Sequence, residues 1–225
     1  MTVTVQRKVV KSRLSRERVV ATAVALADEH GIEAVSMRRL AQELGVEAMS
    51  LYHYFRKKDD IFAGMLEQVF EEVEPPDGDD WRAALRKTAV SAYQALLRHP
   101  WATGVIGSTA SISGARLRWM DKVLRVLREA GFAPGTIDLA YHVLDSHIVG
   151  VVLWALPYLE LERTNPTFAD EFLATFPLAE TPDLKSHIEY HLAPQPDKPV
   201  TPFEFGLDLI LDGLERIRPA ASTAV

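Results

Sequence analysis

Residues 40–62 read LAQELGVEAMSLYHYFRKKDDIF. Two short apolar-patterned pieces meet at Gly45. The first, opening after Ser36, has a serine to cap its start and a glycine to take the left-handed backbone that ends it. The second, Val46 to Phe55, has Val46, Leu51 and Phe55 to dock it on neighbouring helices, and little else to bury. Yet it carries Tyr52, His53 and Tyr54 in a row, followed by Arg56-Lys57-Lys58. Two short helices about a glycine turn match a helix-turn-helix, in which the first helix braces and the second enters the major groove of DNA.

On that reading the outward positions have defined tasks. Small side chains at Ala48 and Ser50 let the helix lie close to base edges, and Glu47 shares the exposed side. Ala48 and Met49 suit thymine methyl groups, and Ser50 can bond to several bases. Tyr52, His53 and Lys58 suit phosphates, which position the protein without reading sequence. Arg38 and Arg39 on the preceding helix flank the same groove.

The charge distribution agrees. The chain has 225 residues and a net charge of −6. Residues 1–58 hold 11 Lys/Arg against 6 Asp/Glu, while residues 59–225 hold 14 against 25. A basic head on an acidic body points the head, and not the body, at a polyanion. There are no cysteines, which excludes disulfides, iron–sulfur clusters and thiolate zinc sites. The N-terminus is polar and basic with no signal core, and no apolar run reads as a membrane span. These features predict a cytoplasmic protein.

Helical periodicity runs through the rest, and no strand pattern of useful length interrupts it. The expected architecture is all-α: a basic arm over 1–13, a three-helix helix-turn-helix head with its linking helix over 14–74, and a helical bundle for ligand binding and dimerisation over 79–219. EPPDGDDW, at 74–81, marks the boundary. Trp81 to His99 reads as a helix capped by Asp79 or Asp80. ARLRWMDKVLRVLREAG reads as a helix with Leu117, Met120, Leu124 and Leu127 inward. Thr136 to Leu156 is apolar on most sides, as for a helix buried in its own core and again in an interface. Residues 166–199 hold six of the 13 prolines and predict short helices in a loose connection. The last helix has Thr201 as cap and Pro202 at its first position. Gly206 and Gly213 lie two turns apart on it, where another helix can approach.

The stretch from Gly31 to Leu66 resembles the DNA-binding head of the TetR family of bacterial repressors. The carrying motifs are Gly31-Ile32, Ser36-x-Arg38-x-Leu40-Ala41-x-x-Leu44-Gly45-Val46, Leu51-Tyr52-x-Tyr54-Phe55 and Lys58-x-x-Ile61. Trp81 to His99 and the last helix resemble, more weakly, those of the tetracycline-repressor branch. The resemblance implies a homodimer that binds a palindromic operator on double-stranded DNA and lets go when a small effector enters the body. It places groove and phosphate contacts on Arg38, Ala48, Met49, Ser50, Tyr52, His53 and Lys58. The positions that hold a magnesium–drug complex in that branch are Glu74, Thr88, Ala92, Ile106 and Trp154 here, with Ile106 where a metal-binding histidine would stand. No metal, no cofactor and no tetracycline–magnesium sensing is therefore expected. The branch's groove-contacting Gln-Pro-Thr is Ala48-Met49-Ser50 here, which implies a different operator.

In the body, aromatic side chains with a few polar handles suit a bulky, largely apolar or aromatic ligand. The candidate lining is Tyr93, Trp101, Ile106, Trp119, His147 and Trp154, with Tyr141, His142, Phe168 and Phe172 as further rings. His147 with Asp145 and Ser146 is the expected polar cluster. Dimer contacts are expected from Val151 on the long helix and Leu207, Ile210, Leu211 and Leu214 on the last. His187 and His191 have a metal-compatible spacing, but no HExxH arrangement accompanies it. No catalytic motif appears, so an enzyme is not expected. The other reading is a helical adaptor that presents the Tyr52–Phe55 segment to a protein partner.

Overall fold

The computed structural model describes residues 13–106, 113–165, 167, 171, 180–192 and 200–219. Described residues are helical or irregular throughout, with α1 Arg16–His30, a 3-10 turn Ile32–Ala34, α2 Met37–Leu44, α3 Ala48–Leu51 and α4 Lys58–Glu71 forming the head and its link. The body holds α5 Trp81–Arg98, α6 Trp101–Ile106, α7 Gly114–Glu129, α8 Pro134–Thr164, α9 Pro182–Leu192 and α10 Pro202–Ile217.

Local chemistry sets most boundaries. Ser15, Ser36, Asp80, Ser113 and Thr201 each accept a backbone N–H two or three residues on. Asp60 turns back to accept the N–H groups of Arg56 and Lys57 at 2.9 and 3.2 Å, which fixes the start of α4. Gly45, at φ 66°, stops α2 and donates to the carbonyls of Ala41 and Gln42. A side chain there would strain the left-handed backbone that turns α2 into α3.

The head core is Val20, Ala23, Val24 and Ala27 of α1 against Leu40, Leu44, Leu51, Phe55, Ile61 and Met65. α4 packs on α1 at one end and on α7 at the other, so it joins head to body. The body core runs through Leu85, Trp119, Val123, Leu127, Leu144, Ile148, Val152, Phe203, Leu207 and Leu211.

Three expectations about elements are corrected. The third helix is not Val46–Phe55 but Ala48–Leu51; the chain then winds into a tight turn, with Tyr54 N–H and Phe55 N–H both on the carbonyl of Leu51. α7 buries Ala115, Trp119, Val123, Val126 and Leu127, while Leu117 is exposed and Met120 and Leu124 are half-buried. The helix carries two apolar stripes, and α4, α5 and α8 cover the one centred on Trp119. Pro134–Pro157 is long and apolar enough to cross a membrane by length and composition, although no such run was expected. In this fold it packs along α5, α7 and α10.

Candidate nucleic-acid interface

Capping by Ser36 and the stop at Gly45 hold α2 so that Leu40, Ala41 and Leu44 face α1. Arg38 and Arg39 are left exposed. Arg39 shares its charge with Glu43 at 2.9 Å. Burial of Leu51 and Phe55 seats α3 and its turn against the head, which turns the intervening residues outward. Glu47, Met49, Tyr52 and His53 are exposed and Ala48, Ser50 and Lys58 are half-buried at the same surface. Met49 is the extreme, 73% exposed. An unsupported methionine beside small residues on a helix tip matches a surface that reads base edges. The ammonium of Lys58 lies 4.9 Å from the centre of the Phe62 ring, a cation–π contact that holds it at the α4 N-terminus.

Tyr54 has a different task. Its hydroxyl donates to the carbonyl of Leu14 at 2.8 Å, and its own carbonyl accepts from Arg16 Nη1 at 3.0 Å. The Arg16 guanidinium also lies 4.4 Å from the Phe55 ring centre. The root of α1 is thus fastened to the end of the recognition segment, a bridge across 40 residues that local pattern does not reveal.

The body residues expected to line one ligand site fall into separate places. Trp119 Nε1 donates to Thr88 Oγ1 at 2.8 Å, and the Thr88 hydroxyl in turn donates to the carbonyl of Glu74 at 2.6 Å. Phe70 and Tyr141 stand 6.0 and 6.3 Å from the Trp119 ring. Arg116 enters beside them, paired with Asp145 at 3.2 Å. Its Nε is buried without an acceptor among the described residues. Burial, reinforced by Asp145, pushes the Tyr141 phenol above its ordinary value, with Arg116 opposing. This aromatic and cationic cluster draws on α4, α5, α7 and α8; of the expected lining and further rings, Trp119 and Tyr141 belong to it.

Tyr93 and His147 belong to another group. Both stack on Phe203, at 4.0 and 5.2 Å between ring centres, and His147 Nε2 lies 2.9 Å from the Phe203 carbonyl. The expected polar cluster of Asp145 with His147 does not form, because residues two apart on a helix point to nearly opposite sides. Trp101 is corrected too: it sits at the head–body junction, where its Nε1 donates to Asp28 Oδ1 at 2.6 Å. Ile106 is half-buried at the end of α6 and Trp154 is 57% exposed on α8. Phe168, Phe172 and the His191 side chain lie outside the described residues. No group of three metal-ligating side chains occurs among the described residues.

The expected dimer contacts are corrected in part. Leu207, Leu211 and Leu214 are already buried within one chain, so a partner has nothing left of them to cover. Val151 and Ile210 are half-buried. The exposed stripe of α10 is instead Phe205, Leu209 and Ile217, and that of α8 is Leu139, Val143, Leu153 and Trp154. Gly206 faces inward, where a Cβ would meet His147 Cε1 at 2.3 Å, while Gly213 opens outward.

A helix-turn-helix head joined by one helix to an all-helical body defines the class of ligand-responsive DNA-binding regulators. Residues 19–65 match the family model described as bacterial regulatory proteins, tetR family. Residues 74–218 match that of the tetracyclin repressor-like C-terminal domain. The chain belongs to the TetR family and is a ligand-responsive transcriptional repressor. It is 36% identical over 217 residues to the HTH-type transcriptional repressor DrrR1 of Streptomyces coeruleorubidus, covering 91% of this chain and 78% of that protein. It is 31% identical over 211 residues to the class C tetracycline repressor protein of Escherichia coli, covering 92% and 93%. Among solved structures, a possible TetR family transcriptional regulator from Streptomyces coelicolor A3(2) superposes with a TM-score of 0.74 at 31% identity, covering 91% and 100%. ActR of Streptomyces coelicolor in complex with (S)-DNPA superposes with a TM-score of 0.71 at 25% identity, covering 92% and 100%.

Proposed function

We propose that the protein is a cytoplasmic homodimer that grips a palindromic operator with two copies of the α2–α3 surface. A small, largely apolar or aromatic effector entering the body releases it. The observation that carries this reading is the exposed Met49, Tyr52 and His53 on a short tip that docks only through Leu51 and Phe55. Arg38, Arg39, Ala48, Ser50 and Lys58 complete the contact set. Two such tips set about 34 Å apart, or a multiple, match two half-sites. The exposed apolar stripes of α8 and α10 supply the dimer surface, and together they account for the apolar length of α8 without a membrane. The reading assigns no catalytic step.

The effector is proposed to contact the Phe70, Trp119 and Tyr141 rings and to offer an acceptor to Arg116. Phe70 lies on α4, so a ligand at this cluster touches the helix that joins body to head. An effector that binds better when the heads are spread away from operator spacing shifts the population off DNA.

The test is fluorescence anisotropy on the duplex upstream of the protein's own gene. Tight binding that resists random-sequence competitor supports the reading. No binding there or to a random duplex pool overturns it.

A further inference from the structure

The aromatic and cationic cluster of the body leaves one hydrogen-bond donor over. Trp119 Nε1 is spent on Thr88, and the Thr88 hydroxyl on the Glu74 carbonyl. Arg116 Nη2 is spent on Asp145 at 3.2 Å. Arg116 Nε remains, buried and without a partner among the described residues. A buried donor with its bond unmade is costly, and more so when the group is charged. A site that carries such a donor gains by taking a ligand oxygen at it.

The charge of that oxygen is constrained by Asp145. Nε and Nη2 form one edge of the guanidinium fork, the kind of edge that a carboxylate takes with both oxygens. Asp145 takes only the Nη2 half of it. The two side chains are 20% and 24% exposed, and their charges already answer each other. Burial, reinforced by Asp145, holds the Tyr141 phenol above its ordinary value, so Tyr141 adds no negative charge. A second carboxylate brought to Nε would stand beside that of Asp145, two like charges sharing one cation. An uncharged carbonyl oxygen makes the same bond without that repulsion. The surroundings set the rest of the ligand. Phe70 and Tyr141 stand 6.0 and 6.3 Å from the Trp119 ring, and Arg116 Cζ lies 5.9 Å from the Phe70 ring centre. An oxygen at Nε therefore arrives among aromatic rings, which suits a flat aromatic carrier.

We infer that the effector binds through an uncharged carbonyl oxygen on an aromatic framework, accepted by Arg116 Nε–H, and that Asp145 excludes aromatic carboxylates from the same position. Asp145 is on this account a specificity-determining residue for the effector. The inference rests on the effector site proposed at this cluster and names the chemistry that the site takes.

The test is equilibrium dialysis of the full chain against three probes with one ring system: fluorenone, fluorene, which has a methylene in place of the carbonyl, and fluorene carboxylate. One buried hydrogen bond to a charged donor, made by the carbonyl and not by the methylene, corresponds to about tenfold in affinity. Fluorenone is expected to bind the parent more tightly than fluorene by at least that factor, and fluorene carboxylate no more tightly than fluorene. D145N keeps an acceptor for Nη2 and removes the like charge. It is expected to raise the affinity for the carboxylate by about tenfold or more and to leave that for fluorenone little changed. R116M/D145L removes both charges together, so neither is left buried alone, and is expected to bring fluorenone down to the level of fluorene. Circular dichroism melting confirms that the variants fold. Equal binding of fluorenone and fluorene by the parent, tighter binding of the carboxylate than of fluorenone, or a carboxylate affinity unmoved in D145N overturns the inference. A fluorenone advantage retained in folded R116M/D145L overturns it as well. Failure of all three probes to bind the parent overturns instead the effector site beneath it.

Discussion

Asp28 of the head and Trp101 of the body are joined by one oxygen: Trp101 Nε1 donates to Asp28 Oδ1 at 2.6 Å. His99 Nδ1 approaches the same oxygen at 2.8 Å, and its Nε2 lies 3.1 Å from Glu72 Oε1. Arg98 closes the chain with two bonds to Glu72 Oε2, at 2.8 and 3.2 Å. The junction thus ties α1 directly to α6, alongside the route through α4. D28A leaves the Trp101 N–H and one His99 nitrogen without their acceptor in a nearly buried place. An unsatisfied buried donor costs about 1–3 kcal/mol, and a chain of this size loses roughly 2–4 °C in melting midpoint per kcal/mol. Calorimetry of D28A is expected to show a midpoint lower by about 4 °C or more; an unchanged midpoint would mean that the junction is not closed in solution.

Gly206 gives a second prediction. A methyl group there meets the His147 ring at three atoms, the nearest at 2.3 Å, and that ring is held by Phe203 and its carbonyl. The ring cannot retreat without breaking the Tyr93–Phe203–His147 stack. G206A is expected to destabilise by about 1–3 kcal/mol, as overpacking does. H147A in the same chain removes the obstacle, so the double variant is expected to recover part of the loss in urea unfolding. Additive losses would show that the clash is not the cause.

Acid stability supplies a third. Burial raises the Glu67 carboxyl, but the bond from Ala115 N–H at 2.6 Å and the Arg118 guanidinium at 2.7 Å outweigh it and hold the group below its ordinary 4.5. A carboxylate lowered by folding contributes stability above the unfolded value, and that contribution is lost as the pH falls through the folded value. E67Q is expected to be less stable than the parent at pH 7. The gap is expected to narrow as the pH falls from about 4.5 through the lower folded value, where the parent protonates and loses the charged acceptor that E67Q lacks at every pH. A gap independent of pH would assign Glu67 a packing role only.

These contacts also show where sequence reading stops. Ser36, Gly45 and Thr201 were legible because a cap is chemistry between residues two to five apart. The helix-turn-helix followed from Gly45 and from Leu51 and Phe55. The length of α3 did not, because the turn after Leu51 is decided by how Phe55 docks under Arg16. On α7, the Leu117 and Trp119 stripes are equally apolar, and only the neighbours that cover one of them decide between the two. Arg116 and Asp145 lie 29 residues apart on different helices, and nothing in either segment announces their pairing. Tyr54 looked like one more polar-tipped ring at the DNA surface and instead fastens Leu14.

The same distinction between faces governs the dimer prediction. Along α10, Phe203, Leu207, Leu211 and Leu214 point into the protomer, and Phe205, Leu209 and Ile217 point out. Both stripes are apolar, so a charge on either is unfavourable, but the consequences differ. L211E buries a carboxylate among apolar side chains with no partner, which the folded chain cannot accommodate; loss of the folded protomer is expected. L209E places the charge where one chain exposes 57% of the leucine to water, so the protomer is expected to fold with an unchanged helical circular dichroism spectrum. If a second copy covers this stripe, L209E desolvates two like charges across a two-fold axis. Sedimentation is then expected to show a monomer at micromolar concentration. Operator affinity should fall by two orders of magnitude or more, since a lone head reads only one half-site. A dimeric L209E that binds operator as the parent does would remove α10 from the interface and leave the Leu139–Val143–Trp154 stripe of α8 to hold the dimer alone.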